Sequence, residues 1–442
     1  MKGTPTSSHS VQGLTKGAFA QKLRDERGQL LVLAALMLTV LLGFLGLLID
    51  TGLLYAERRQ AQNAADEATL AAVRVLYEDG ESATAAAQAA ALDYAAANGY
   101  DGASGSTVTV NIPPLSGEHI GDPLYIEVIV EAQPPTFFIH VLTPGVPVQG
   151  RSVAGYPVFP EPYALVVLDE DDCQAFRQEG NASLRVVGGG IMVNSSCEPD
   201  AFRKTGSGAI TVDGTIDING GISIVGSGAV SPDPRSVPWT VEDPLASTPP
   251  PPLGAPAPGS TGTALVPETW RVTSGGDITL SPGTYYGGFY SNCTCTITLE
   301  PGIYVMAGGG FTKAGGANFV GDGVMIYVTT NPANPTGDGA PLPFNLTGSG
   351  ALDLSPPTLG FYEGITLWQD IAITDDFRMR GSNDLISGIF YEPGATLDIS
   401  GDSQFGTVQL VVNGFLLSGN SPLDLTYGEF RVFEAPKVVL VE

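Results

Sequence analysis

A long apolar run near the N-terminus limits what this chain can fold into more than any other feature. Residues 29–49 read QLLVLAALMLTVLLGFLGLLI, in which Gln29 and Thr39 are the only polar side chains. As an α-helix the run is about 31 Å long, which matches a bilayer core of about 30 Å. It is longer than a secretory signal core, and no small-residue cleavage site follows promptly. Because it is apolar on every face, a soluble core helix is a poor alternative. We therefore predict a retained transmembrane helix in contact with the lipid bilayer.

The charges on either side of the run predict its orientation. Four basic residues lie just before it, within residues 16–28: Lys16, Lys22, Arg24 and Arg27. Basic residues favour the cytoplasmic side, so we expect residues 1–28 to be a cytoplasmic tail and the C-terminal part to be extracytoplasmic. Residues 1–60 hold seven Lys/Arg and four Asp/Glu, a net +3, which leaves −29 on the rest of a chain of total charge −26. So acidic a surface repels nucleic acid, which we exclude as a partner.

Helix-forming residues continue beyond the run, and then the pattern changes to that of strands. Gly80 is expected to separate two helices and Asn98-Gly99 to end the second. Alanines recur on one side of the first helix at i+3 and i+4 spacing: Ala61, Ala65, Ala68 and Ala72. Four later segments alternate as half-buried strands do: TVTVNI, LYIEVIVEA, TFFIHVL and VPVQGRSVAGY. Residues 50–160 are thus predicted to form an α+β stem of helix plus sheet.

Short motifs recur at nearly constant spacing in the rest of the chain. Gly-Ser-Gly occurs at 206–208 and 226–228, and Pro-Gly-x-Tyr occurs at 282–285 and 301–304. Short alternating strands lie between these Gly-rich corners, a pattern typical of a solenoid whose coils stack on one another. We therefore predict a mainly-β, right-handed parallel β-helix, with a β-sandwich as the alternative because turns are regularly spaced there too.

The predicted β-helix has two parts, residues 161–230 and 269–442. The segment 231–268 between them is rich in proline. Proline removes the N–H that a sheet ladder needs and favours extended chain. This linker or insertion is therefore expected to be an extended surface connection without internal sheet pairing.

The segment around the membrane exit resembles a known family. Residues 27–72 are similar to the N-terminal segment of the TadE/TadG-like family of tight-adherence (Flp) pilus-assembly proteins. The shared residues stand at fixed offsets from the apolar run: Arg27-Gly28, Asp50, Gly52, Tyr55, Arg58, Arg59, Gln62, Asn63, Ala64, Ala65, Asp66 and Ala68. Most of 164–425 is also similar to the β-helical tail of some bacterial TadG-like proteins.

The resemblance implies a bacterial cell-membrane protein whose partners are pilus-assembly or secretion-platform membrane proteins. Small pseudopilins of this group are cut after a glycine and carry Glu five residues later. Here the fifth residue after Gly28 is Leu33. The resemblance therefore implies a permanently anchored TadG-like protein rather than a processed fibre subunit.

Polar residues just outside the membrane are our candidates for a partner interface. They are Asp50, Tyr55, Arg58, Gln62, Asn63 and Asp66. A carboxylate near lipid is costly unless it is paired or hydrated. Asp50 therefore either contacts a partner helix or marks the membrane exit and caps the next stretch. Asn63 and Asp66 fit either an interface beside the small-residue stripe or a solvated helix face.

All four cysteines lie in the predicted extracytoplasmic part, where disulfides are expected. Cys173 and Cys197 enclose 23 residues, and a bridge between them would contribute roughly 3 kcal/mol in the chain-entropy description. Cys293 and Cys295 are close neighbours on one strand face and bridge poorly, which leaves a direct link or crossed pairing with the other two. No histidine is spaced with a cysteine pair as zinc ligands are, so neither a metal nor a cofactor is expected.

One cluster suggests catalysis. TDDFRMRGSND holds Asp375, Asp376, Arg378, Arg380 and Asp384, and paired carboxylates serve glycoside chemistry. However, a solenoid needs Asp at its turns anyway, and residues 164–442 hold only 11 Lys/Arg, a poor surface for an anionic polymer. We therefore predict a non-enzymatic protein of Flp pilus assembly or cell-surface adhesion, with surface polysaccharide as a further possible partner. The alternative is a membrane-tethered carbohydrate-active β-helix enzyme, a polysaccharide lyase or hydrolase.

Overall fold

Two units make up the part of the chain that the structure describes. This computed structural model describes residues 16–441 except 103–104, 142, 144, 382–384, 402–404, 421, 429 and 432. The first unit is Met1–Pro157 with Val438–Glu442, and the second is Val158–Lys437. We call them the helix–sheet unit and the solenoid unit.

A single helix, α1 (Lys16–Asp79), contains the apolar run and continues far beyond it. It is long and apolar enough to cross a membrane, and side chains such as Leu36 and Leu41 are more than half exposed. Residues 50–79 hold no proline and, apart from Gly52, no glycine, so nothing interrupts the backbone hydrogen bonds. The predicted apolar helix is therefore confirmed, and it also forms the axis of the helix–sheet unit.

Gly80 ends α1 as predicted. Its φ of 77° lies in the left-handed region that glycine enters without steric cost. One 3₁₀ turn, Glu81–Ala83, follows and leads into α2 (Thr84–Ala97). The two helices are thus separated where the sequence indicated.

Three strands form an antiparallel sheet with a short C-terminal strand at its edge. They are β1 (Thr107–Asn111), β2 (Tyr125–Ala132) and β3 (Val148–Gly155), in the order β1-β2-β3. The strand Val439–Leu440 pairs with β3, so the chain returns to this sheet after the solenoid unit. The sequence predicts the whole C-terminal stretch to be β-helix, but these last residues pair with the sheet of the helix–sheet unit.

The predicted strand TFFIHVL is wrong. Residues 133–136 are irregular, and Ile139–Val141 is a 3₁₀ turn in the connection between β2 and β3. Pro134 and Pro135 provide no backbone N–H for a ladder, and a side chain of α1 accepts the N–H groups of the residues that follow. Alternation of apolar and polar residues therefore does not decide the backbone conformation here.

Alanines form the contact between the helices and the sheet. Five alanines on one face of α1 are completely buried: Ala61, Ala64, Ala65, Ala68 and Ala72. These alanines share a core cluster with Ala87 and Ala91 of α2 and with Val128 of β2. The packing is so close that a Cβ on Gly150 would come 2.4 Å from the carbonyl carbon of Ala61. The alanine stripe is thus covered by the chain itself.

The solenoid unit consists of short strands. In chain order they are β4 (Val158–Glu161), β5 (Tyr163–Val167), β6 (Phe176–Gln178), β7 (Leu184–Val187), β8 (Gly190–Val193), β9 (Phe202–Thr205), β10 (Ile210–Val212), β11 (Ile216–Ile218), β12 (Ile222–Val225), β13 (Val230–Ser231), β14 (Arg235–Ser236), β15 (Trp270–Val272), β16 (Ile278–Leu280), β17 (Gly283–Tyr286), β18 (Phe289–Ser291), β19 (Thr296–Leu299), β20 (Gly302–Ala307), β21 (Phe311–Lys313), β22 (Asn318–Gly321), β23 (Val324–Thr329), β24 (Phe344–Gly348), β25 (Leu352–Leu354), β26 (Ile365–Gln369), β27 (Phe377–Gly381), β28 (Leu385–Ser400), β29 (Phe405–Ser418), β30 (Leu423–Thr426) and β31 (Phe433–Pro436).

Most coils contribute three strands, and most strands pair in parallel with the third strand after them. Thus β17 pairs with β20 and β20 with β23, while β18 pairs with β21. The long strand β28 instead pairs with β25, β26 and β27 on one side and with β29 on the other. This parallel ladder between successive coils confirms the predicted β-helix and makes the sandwich alternative wrong.

The order of the coils along the stack differs from their order in the chain. The last long strand, β29, pairs with β28 on one side and with β5, the first strand of the first coil, on the other. The coils that contain β5 to β14 therefore stack beyond β29 rather than before β15. The two predicted parts therefore form one continuous solenoid, in which the part that comes first in the chain stacks after the part that comes second.

A ladder of aromatic rings passes through this junction. Phe289 and Phe311 stack at 5.6 Å between ring centroids, and Phe344 and Phe377 at 4.7 Å. Across the junction Phe415 lies 5.3 Å from Phe176, although 239 positions separate them in the sequence. Equivalent coil positions thus form one apolar core irrespective of chain order.

The Pro-rich segment connects the two ends of the stack. It leaves β14 at Val237, whose N–H donates to the Ile218 carbonyl of the neighbouring β11. It then passes Asn194, which pairs with the backbone of Val241 through both amide atoms at 2.8 and 3.0 Å. Further on, Tyr391 donates to Asp243 at 2.6 Å. The segment is an extended surface connection, but its first residues form β14, which pairs with β11, so the expected absence of sheet pairing is wrong there.

Candidate functional site

The first turns of α1 beyond the apolar run carry the candidate residues, and the structure divides these residues into two groups. Asp50 is fully buried, and Gln62 and Asp66 are half-buried, whereas Tyr55 and Asn63 are exposed. The side chains of the first group are bonded within the helix–sheet unit. The second group faces outward.

Asp50 holds the loop between β2 and β3. Its carboxylate accepts three backbone N–H groups, from Phe137 at 3.0 Å, Phe138 at 2.7 Å and Ile139 at 2.6 Å. Successive N–H groups at the start of a 3₁₀ turn are orphan donors that an anionic acceptor satisfies well. Asp50 thus caps a segment of its own chain. Of the two readings of this residue, capping is the one that the geometry matches, although the capped segment is distant in sequence.

An aromatic ring of the same loop packs against Gly46, which lies one helical turn before Asp50. A Cβ on Gly46 would lie 2.3 Å from the Phe138 ring, so only hydrogen leaves space for the ring. Gly46 belongs to the apolar run. The loop therefore contacts α1 both at Asp50 and inside the predicted membrane segment.

Gln62 connects α1 to strand β3. Its amide nitrogen donates to the Arg151 carbonyl at 2.7 Å, and its amide oxygen accepts the Arg151 N–H at 3.1 Å. The same nitrogen donates to Asp66 at 2.9 Å. A side-chain amide that pairs with both backbone groups of one residue mimics a strand neighbour and fixes the register of helix against sheet.

Arg151 extends this contact to a buried carboxylate on β2. The Arg151 guanidinium donates to Glu127 at 2.7 Å. Burial alone would raise the pKa of Glu127, but hydrogen bonds from Ser116, Asn111, Arg151 and the Leu115 N–H outweigh it and lower the pKa to about 2. Neither Arg151 nor Glu127 is predicted from the sequence. Glu127 alternates with Ile126 and Val128, which pack in the core with α1, so the strand period predicts an outward-facing charge, whereas Glu127 is fully buried.

The exposed group lies opposite the buried alanines. Tyr55, Arg59 and Asn63 follow one another at i+4 spacing, and Arg58 flanks them; all four are exposed. With 3.6 residues per turn they form one continuous strip, which we call the exposed strip. Tyr55 is 70% exposed. This strip, and not the alanine stripe, is the part of the TadE/TadG-like motif that a partner can reach.

The cysteines pair locally. Cys173 bonds to Cys197 with 5.1 Å between Cα atoms, and Cys293 bonds to Cys295 with 5.4 Å. The direct link is thus the alternative that the structure adopts. Asp200 lies beside the first pair within 4.8 Å of both sulfurs, but sulfurs in a disulfide are not available as thiolate ligands.

Three members of the acidic–basic cluster line a surface cleft of the solenoid unit. Asp375, Asp376 and Arg378 border a cleft of about 280 Å³. Arg380 instead bonds to Asp398 at 2.9 Å, and Asp384 lies outside the described residues. The sequence cluster is therefore only partly reproduced in space.

Comparison with known families matches the N-terminal segment. Residues 28–75 match the family described as "Putative Flp pilus-assembly TadE/G-like". This range contains the apolar run, Asp50, the exposed strip and Gln62. No curated protein and no solved structure matches the chain. The segment 28–75 is therefore similar to the TadE/G-like Flp pilus-assembly family, and in this chain it is followed by a sheet and a β-solenoid.

Proposed function

We propose that this protein is a single-pass membrane protein that takes part in Flp pilus assembly without catalysing a reaction. The observation that carries the proposal is the family match over residues 28–75 combined with the division of its polar residues. Asp50 and Gln62 hold the chain's own loop and sheet, whereas the exposed strip has no such role. The strip is the surface that we assign to a pilus-assembly or secretion-platform membrane protein.

The orientation follows from charge. Basic residues before the apolar run favour a cytoplasmic N-terminus, which puts the sheet of the helix–sheet unit and the whole solenoid unit on the extracytoplasmic side of the cell membrane. Disulfides persist in such an oxidising compartment, and both cysteine pairs are bonded. In this arrangement the solenoid unit reaches outward and is available for surface attachment, including attachment to polysaccharide.

Substitutions in the exposed strip test the partner contact. Arg58→Ala and Asn63→Leu should lower co-purification of the pilus-assembly membrane proteins by about tenfold, the effect of losing about 1.4 kcal/mol of interface free energy. The matched control is Arg74→Ala on the same helix, since the Arg74 side chain is 75% exposed and contacts Glu78 one turn later. Equal co-purification in all three variants would contradict the proposal.

The enzymatic alternative is favoured by the cleft that gathers Asp375, Asp376 and Arg378. It is tested by incubating the full chain with acidic polysaccharides and measuring new reducing ends and unsaturated products. Our proposal expects none. Cleavage that disappears in Asp376→Asn and persists in the exposed control Asp353→Asn would replace the non-enzymatic role with catalysis.

A further inference from the structure

The loop between β2 and β3 has a composition unlike the rest of this acidic chain. Residues 132–150 contain no Asp, Glu, Lys or Arg, in a chain of net charge −26. Apolar side chains project from the loop: Phe137 is 66% exposed, Phe138 46% and Val141 83%. A solvated loop tip ordinarily carries polar residues, so this one requires a specific environment.

The position of the loop indicates what that environment is. Its contacts with α1 are at Asp50 and Gly46, the end of the apolar run and one turn inside it. The neighbouring side chains of α1 are apolar and exposed as well, with Leu48 at 67% and Ile49 at 57%. The exposed apolar surface of the helix and that of the loop therefore lie at the same height along the axis of α1.

Asp50 also removes the main obstacle to placing a loop in lipid. Backbone N–H groups have no acceptor among acyl chains, which excludes lipid-exposed irregular backbone from the hydrocarbon core. Here the N–H groups of Phe137, Phe138 and Ile139 are all accepted by one carboxylate. The same contacts neutralise the cost of a carboxylate next to lipid, because the charge is enclosed by donors.

We propose that the loop segment Phe137–Val141 inserts into the lipid interface of the membrane that α1 crosses. The partner is the acyl-chain and glycerol region of the leaflet next to the helix–sheet unit. Phe137, Phe138 and Val141 provide the apolar contacts, and Asp50 is a positioning residue. The loop is then a second membrane contact beside α1. The inference rests on the membrane anchor in the proposed function, and not on pilus assembly.

A single-cysteine label tests the insertion directly. All four native cysteines are paired, so an environment-sensitive fluorophore on Val141→Cys labels one site in the full chain. The protein is reconstituted in nanodiscs of phosphatidylethanolamine and phosphatidylglycerol, with or without doxyl-labelled lipid. We expect a blue-shifted emission that doxyl lipid largely quenches and that aqueous iodide does not quench.

Two further label sites serve as controls. Leu115→Cys is comparably exposed, at 68%, but follows β1 at the opposite end of the sheet from the loop, so iodide should quench it and lipid should not. Leu36→Cys lies within the apolar run and must be quenched by lipid. If Leu36 is not quenched, the anchor in the proposed function fails. If Leu36 is quenched but Val141 behaves like Leu115, only the insertion fails.

Protection of Val141 from both quenchers would mean that protein covers the loop, and this result would also overturn the proposal. The role of positioning is tested with two glycines of the same helix. Gly46→Ala directs a methyl group at the Phe138 ring, whereas nothing lies within 4 Å of the corresponding position at Gly43. Lipid quenching at Val141 should fall in Gly46→Ala and stay unchanged in Gly43→Ala; equal quenching in both variants would contradict the assignment.

Discussion

The helix–sheet unit and the solenoid unit each bury a glutamate, and the pKa values of the two carboxyl groups are shifted in opposite directions. Glu127 on β2 accepts hydrogen bonds from Asn111 at 2.8 Å, from Arg151 at 2.7 Å and from two further donors. Glu392 on β28 accepts the Phe377 N–H and the Gln369 amide through one oxygen, both at 3.2 Å. Its other oxygen is buried without a partner among the described residues.

The contrast shows that hydrogen-bond donors, and not burial alone, set the direction of a carboxyl pKa shift. Burial raises the pKa of both groups. Four donors reverse this effect at Glu127 and bring its pKa to about 2. The pKa of Glu392 stays well above its usual value because burial raises it, the Phe377 N–H lowers it only in part, and the nearby Asp376 carboxylate raises it further. The helix–sheet unit is thus held by a few specific ionic contacts. The solenoid unit relies on repeated apolar stacking in its core.

The largest expected loss of stability comes from removing an aromatic ring from the core of the solenoid unit. Phe176→Ala removes a fully buried ring between Phe415 and Phe202 at the junction of the two parts and should lower the free energy of unfolding by about 3–5 kcal/mol. Tryptophan fluorescence during denaturation reports this unit, since Trp239, Trp270 and Trp368 all belong to it.

The control for the junction is Phe361→Ala. Phe361 is 81% exposed in the same unit, so its truncation should change stability by less than about 0.5 kcal/mol. Equal effects of the two substitutions would show that the solenoid does not depend on its aromatic ladder.

An intermediate effect is expected at Glu127. Because its folded-state pKa is lowered from 4.5 to about 2, its stabilising contribution is complete above pH 4.5 and is lost as pH falls from 4.5 to 2. Glu127→Gln should cost on the order of 2 kcal/mol at neutral pH and flatten this pH dependence. Far-ultraviolet circular dichroism follows the helices of this unit. Glu131→Gln, exposed on the same strand, should keep the wild-type pH profile.

The smallest effect is expected at Glu392. Its raised folded-state pKa means that stability is lost as pH rises above the unfolded-state value of 4.5, the reverse of Glu127. Glu392→Gln should stay within about 1 kcal/mol of the wild type near pH 4 and should lose less stability than the wild type as pH rises. Tryptophan fluorescence melts over a pH series measure this. If the exposed control Glu363→Gln gave the same change, the burial argument would fail.

Local patterns predicted many elements of this fold. The apolar run, the break at Gly80, strands β1 to β3 and the parallel solenoid all follow from residue periodicity and glycine positions, which depend on near neighbours. The candidate interface was predicted less well. Asp50 and Gln62 bond to residues at least 87 positions away, and no local pattern identifies such partners.

The sequence alone determined that this chain has a membrane-length apolar helix, a helix–sheet segment and a stack of β-coils, because each follows from a short-range residue pattern. Only the tertiary structure decided which polar residues of α1 are used internally, that TFFIHVL is a capped loop, and that the first coils stack on the last. These outcomes depend on contacts between distant residues. The order of the coils, for example, is fixed by the pairing of β29 with β5, two strands that are more than 230 positions apart in the chain.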